Sequence, residues 1–78
     1  QLFEQLVEWR KEKAKELQVP AYVVLQQKAV IGITNLLPDN DELLLAIPHV
    51  GKKTLEKYGD ELLEIVSQYV DNYKNKRE

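Results

Sequence analysis

A chain of 78 residues has room for one hydrophobic core and not for two, and 44% apolar residues are enough to build it. Eleven basic residues against thirteen acidic ones give a formal charge of −2, so any attraction to a polyanion has to be local. With no cysteine there is no disulfide framework or thiolate zinc site, and no apolar run approaches the roughly 20 residues that cross a bilayer.

The first predicted element is a helix over residues 2–17, because Leu2, Phe3, Leu6, Val7, Trp9, Ala14 and Leu17 recur at helical spacing on one broad face. Glu4, Glu8, Glu12 and Glu16 form a solvated stripe on the other side, flanked by Lys11 and Lys15 at distances that allow ion pairs. Arg10 projects from the apolar face, where its charge needs a partner or a path to water. A structural role is the reading for this residue.

Val19-Pro20 ends that helix, since the residue before proline is driven out of the helical region. Residues 20–25 then form a mostly apolar connector, long enough for a single helical turn. A helix follows over 28–37 with Val30, Ile33 and Leu37 inward; Gly32 in its middle costs about 1 kcal/mol relative to alanine, which close packing against a neighbour would explain. Pro38 stops it, and Asp39 or Asn40 caps a short acidic-started helix over 41–47. Leu55, Tyr58, Leu62, Ile65, Val66, Tyr69 and Tyr73 keep one face across Gly59, so one long helix follows, open to a bend at that glycine. Strand alternation and internal repeats are absent from the pattern, and the fold class is all-α.

The turn Ile47-Pro48-His49-Val50-Gly51 between the last two helices has the form of a helix-hairpin-helix turn, which presents unpaired amides to phosphate. Gly51 would let another backbone approach closely. Lys52 and Lys53 stand where a helix already carries partial positive charge, and Lys57 extends the edge one turn on. The competing reading is a plain tight turn, with Lys53 and Lys57 pairing with Glu56, Asp60, Glu61 or Glu64 on a solvated surface.

In order along the chain, Leu2-Phe3, Leu6, Trp9-Arg10, Val19-Pro20-Ala21-Tyr22-Val23-Val24, Leu37-Pro38, Leu44-Leu45-Ala46-Ile47, Val50-Gly51, Leu55, Lys57-Tyr58-Gly59 and Leu62-Leu63 resemble the HRDC domain, the helicase and RNase D C-terminal module. The resemblance implies a compact bundle of about five helices with a helix-hairpin-helix-like turn. It also implies that residues 1–78 are a single domain, a piece of a larger ATP-dependent helicase or RNase D-like exonuclease. The implied role is accessory: weak binding of single-stranded or branched DNA, or of RNA, by a monomeric module in the cytoplasm with no membrane contact. The alternative it leaves open is docking onto the parent's catalytic domains or another protein without touching nucleic acid.

Carried onto this chain, the implied contact face centres on Tyr22, the tyrosine after the proline, which can stack on a base while Lys28, Lys11 or Lys13 holds the backbone. Two positions depart from the family's pattern. The turn usually reads Gly-x-Gly, so His49 would bear a cost of order 1 kcal/mol if its backbone needs a positive φ. Gln26-Gln27 stands where a better N-cap is usual. For catalysis the chain offers one histidine, one serine and two threonines, too little for a nucleophilic triad or a metal cluster, so neither catalytic nor metal-binding residues nor a cofactor are expected.

Overall fold

Spacing of apolar residues at three and four produces five helices among the described residues, α1 (Leu2–Leu17), α2 (Ala21–Val24), α3 (Gln27–Leu36), α4 (Asp41–Leu45) and α5 (Lys52–Arg77). The computed structural model describes residues 1–77, with side chains through Lys74. The basic residues Lys76 and Arg77 of the tail fall outside the described side chains. No strand occurs among the described residues, in keeping with the all-α expectation.

Each boundary has a local cause. At the end of α1, Gln18 takes a left-handed conformation (φ 57°) and its N–H donates to Ala14 and Lys15 carbonyls, while Val19 N–H donates to Ala14 O at 3.0 Å. Pro20 then starts the single turn of α2, with Val23 N–H donating to its carbonyl at 3.0 Å. Gln26 caps α3 without a side-chain hydrogen bond, whereas Asn40 caps α4 with its Oδ1 accepting from Leu43 N–H at 2.9 Å. α5 passes Gly59 as one helix of 26 residues, and at about 1.5 Å per residue its length accounts for the molecule's 41 Å long axis.

The core is drawn from every element: Leu2 and Leu6 from α1, Val24 and Leu25 beside α2, Ala29, Val30 and Ile33 from α3, Leu44 from α4, Ile47 and Val50 from the turn, and Leu62 and Val66 from α5. Gly32 is explained by contact, because a Cβ there would lie 2.7 Å from Ile47 Cγ2. The absent side chain lets α3 press directly on the turn that leads into α5.

Several inward assignments need correction. Leu37 is not a core residue; it is the left-handed C-cap of α3 (φ 49°) and is 39% exposed, because the helix ends one residue earlier than its apolar period. Leu17 lies half exposed at the last turn of α1, past the end of the core. Tyr73 is exposed too, stacked beside Tyr69 with ring centroids 6.5 Å apart, since α5 outruns the bundle. Trp9 keeps its inward place, partly buried against the core and lodged edge-on against Tyr58 with centroids 5.4 Å apart.

Candidate nucleic-acid interface

The cation on the apolar face of α1 has a specific use. Arg10 Nη1 donates to the Leu25 carbonyl at 3.0 Å and Nη2 to Gln27 Oε1 at 3.2 Å, which staples α1 to the junction between α2 and α3. Its Nε is sheltered without a hydrogen-bond partner among the described residues. No carboxylate pairs with this guanidinium among the described residues.

Tyr22 and Lys28 bracket the same junction in the chain. Tyr22, in the first turn of α2, is 68% exposed, and its neighbour Val23 is exposed as well. The short helix explains this: in four residues only Val24 is turned fully into the core. Lys28, in the first turn of α3, is exposed and makes no ion pair among the described residues. A further signal lies in composition, for residues 17–38 contain no aspartate or glutamate at all; all thirteen acids of the chain lie before or after them. That carboxylate-free stretch, and the docking of Arg10 onto it, are what sequence reasoning missed. The first was visible in the linear sequence as a gap in charge; of the second the sequence showed only a cation at an inward position.

Gly51, Lys52, Lys53 and Lys57 form a second group at the start of α5. His49 does take a positive φ of 71°, so this non-glycine residue bears the cost of a left-handed backbone. Gly51 is different from expectation, because beyond its own chain neighbours no described atom lies within 4 Å of where its Cβ would be and its φ is not positive. It packs against nothing and leaves the start of α5 open to solvent. Lys53 and Lys57 are exposed, and the predicted pairs with Glu56, Asp60, Glu61 or Glu64 do not form among the described residues. No hydrogen bond or ion pair joins this group to Tyr22 and Lys28 among the described residues.

The two candidate lysines of α1 part company. Positions two apart on a helix project about 160° from each other, so Lys11 and Lys13 cannot serve one surface. Lys11 lies on the outer face in a shallow depression with Glu8, Glu12, Lys15 and Glu16. Lys13 is tied to α5: its Nζ is 3.1 Å from Glu61 Oε1 and 6.0 Å from the centre of the Trp9 ring. Trp9 Nε1 donates to the same carboxylate at 3.2 Å. That hydrogen bond, with the Lys13 ammonium beside it, holds the Glu61 carboxyl below the usual carboxylate range, and the Glu61 contact raises the Lys13 ammonium. Lys13 thus serves mainly as a brace between α1 and α5.

No group of three or more histidine, cysteine or acidic side chains at metal-binding distances is found among the described residues. Nor is any described helix long and apolar enough to cross a membrane.

Known proteins resemble this chain in sequence and fold. The chain is 47% identical over 66 residues to the ATP-dependent DNA helicase UvrD2 of Mycobacterium tuberculosis and, equally, of Mycobacterium bovis, covering 85% of this chain and 9% of the relative. It is 38% identical over 69 residues to the ATP-dependent DNA helicase RecQ of Bacillus subtilis, covering 88% of this chain and 12% of the relative. The chain therefore spans about a tenth of the length of the curated relatives it matches. Among solved structures, HRDC domain 3 of D. radiodurans RecQ superposes with a TM-score of 0.85 at 30% identity, covering 90% of this chain and 92% of that one. The five-helix order, the turn into α5 and the match of the HRDC domain model to residues 1–66 agree, and the chain belongs to the HRDC domain family.

Proposed function

We propose that this domain is a non-catalytic accessory module of a DNA helicase that binds single-stranded or structured DNA weakly and tunes substrate recognition. The observation that carries this reading is the exposed Tyr22 ring, which lies in a stretch of sequence without acidic residues that also carries Lys28 and receives the Arg10 guanidinium at Leu25 O and Gln27 Oε1. An exposed phenol ring can stack on a splayed base for about 1 to 3 kcal/mol, while the two cations offset backbone phosphates. Gly51, Lys52, Lys53 and Lys57 would add a second phosphate contact, through open amides and three ammonium groups. Lys11 and Lys13 contribute least, one among glutamates and the other engaged by Glu61. ATP hydrolysis and strand separation would belong to other parts of the parent chain.

With so few cations, the isolated domain should bind no tighter than roughly 10⁻⁴ to 10⁻⁶ M at physiological salt. Tethered to a motor already on DNA, such contacts act at an effective concentration near millimolar and still bias which substrate is held. Titrating the isotope-labelled domain with a short oligothymidylate tests the reading. Amide shifts should cluster at Tyr22, Lys28 and the start of α5 and shrink as salt is raised. Unmoved Tyr22 and Lys28 resonances at millimolar strand would refute it.

A further inference from the structure

We infer that a groove between the segment 37–39 and the second half of α5 is a docking site for a polypeptide segment carrying an aliphatic side chain between basic residues. This stands apart from the nucleic-acid reading, because it rests on a separate surface of opposite charge.

The groove encloses about 140 Å³. A cavity of that order holds one benzene-sized apolar group. Its walls are Leu37, Leu63, Val66 and Val70, and carboxylates stand at its margin, Asp39 from the loop and Asp71 from α5. The left-handed cap at Leu37 is what turns that side chain out of the core and into the wall. A neighbouring depression shares Leu63 and adds Asn40, Asp41 and Glu42, so the acidic margin continues past the groove. Among the described side chains of the second half of α5, Lys74, a turn beyond Val70, is the one ammonium.

The chemistry selects the occupant. A single-sized apolar recess accepts one aliphatic side chain, and carboxylates on both margins attract lysine or arginine on either side of it. A polyanion is repelled here. A second copy of this chain is disfavoured as well, since a two-fold contact would set the same acids against each other.

The test uses the labelled 78-residue chain and a capped pentapeptide, Arg-Arg-Leu-Arg-Arg, with two controls in which serine replaces the leucine or glutamate replaces the arginines. Amide shifts are expected at Leu37, Leu63, Ser67 and Asp71 with the first peptide and not with either control. Asp39→Asn and Asp71→Asn, both at exposed positions, should each weaken the affinity about twofold to fivefold, the size of an exposed ion pair. Equal shifts with the serine control, shifts confined to the glutamates of α1, or movement of these residues by oligothymidylate would each overturn the proposal. So would dilution-dependent shifts at the groove in the free chain, which would mark self-association instead.

Discussion

Replacing Gly32 with alanine sets a local preference against a tertiary contact, and the structure says which wins. Alanine favours the helix by about 1 kcal/mol over glycine. Its Cβ, however, would sit 2.7 Å from Ile47 Cγ2, and reaching ordinary contact at 3.4 Å requires a retreat of about 0.7 Å, the difference of those two distances. Ile47 is 1% exposed and β-branched, so its methyl has one comfortable rotamer and no free space to enter. The retreat must come from the backbone of α3 or of the turn before α5. Overpacking of this kind costs about 1 to 3 kcal/mol, leaving a net loss of about 1 to 2 kcal/mol in the upper half of the range. For a domain of this size that lowers the melting temperature by about 4 to 16 °C, read from a far-ultraviolet circular dichroism melt. Asn35→Ala, on an exposed position of the same helix, supplies the control in which alanine should not destabilise. A Gly32→Ala protein that melts at or above the parent would show that the α3–turn contact is looser than described, and the argument from close approach would fail.

Tyr22→Ala should leave the melting temperature within a degree or two, because the ring is exposed, yet weaken binding of an oligothymidylate by about 5- to 150-fold, the equivalent of 1 to 3 kcal/mol; unchanged affinity would remove the stacking role. His49→Gly relieves a left-handed backbone worth about 1 to 2 kcal/mol but loosens the unfolded chain by about 0.4 to 1 kcal/mol, so urea midpoints should show a small gain in stability. Because Glu61 is held below its ordinary range, its contribution is full above the usual carboxylate pKa and is lost as pH falls through the lowered value. Lys13 shows the opposite sign: its contribution is full below the usual lysine pKa and is lost as pH rises through the raised value. Trp9, the single tryptophan, should report the acid step as an emission change that Glu61→Gln abolishes.

The fold was legible because its signals are periodic and punctuated. Pro20, Pro38 and Asn40 mark boundaries that the chain obeys within a residue or two, and Gly32 announces a close approach that Ile47 supplies. Periodicity failed where it outlasts the partner surface. Leu17, Leu37 and Tyr73 continue their helical faces past the end of the core, and spacing alone carries no information on where the neighbouring element stops. The candidate site was less legible for a related reason. Tyr22 and Lys28 could be named from resemblance, but Arg10 joins them only because the chain folds back to present Leu25 O and Gln27 Oε1 to a residue 15 and 17 positions earlier. Lys13 looked like a free cation until α5 brought Glu61 beside it, 48 residues on, the difference of the two residue numbers.

How many cations act together can be counted from salt dependence, since each neutralised phosphate of a single strand contributes a slope of about −0.7 to the logarithmic plot of affinity against salt. If Arg10 and Lys28 alone contact the strand, the slope is about −1.4, and affinity falls roughly sevenfold between about 50 and 200 mM salt. If Lys52 and Lys53 join them, the slope doubles to about −2.8 and the loss rises to roughly fiftyfold. The net charge of −2 does not blur this distinction, because at such salt the Debye length is about 7 to 14 Å and the glutamates on the far face of α1 are largely screened from the junction. Lys28→Gln should then reduce the slope by about 0.7 with little change in stability, as should Lys53→Gln if the start of α5 takes part. A slope near zero, unaltered by either substitution, would mean that whatever the domain grips is not held by its phosphates.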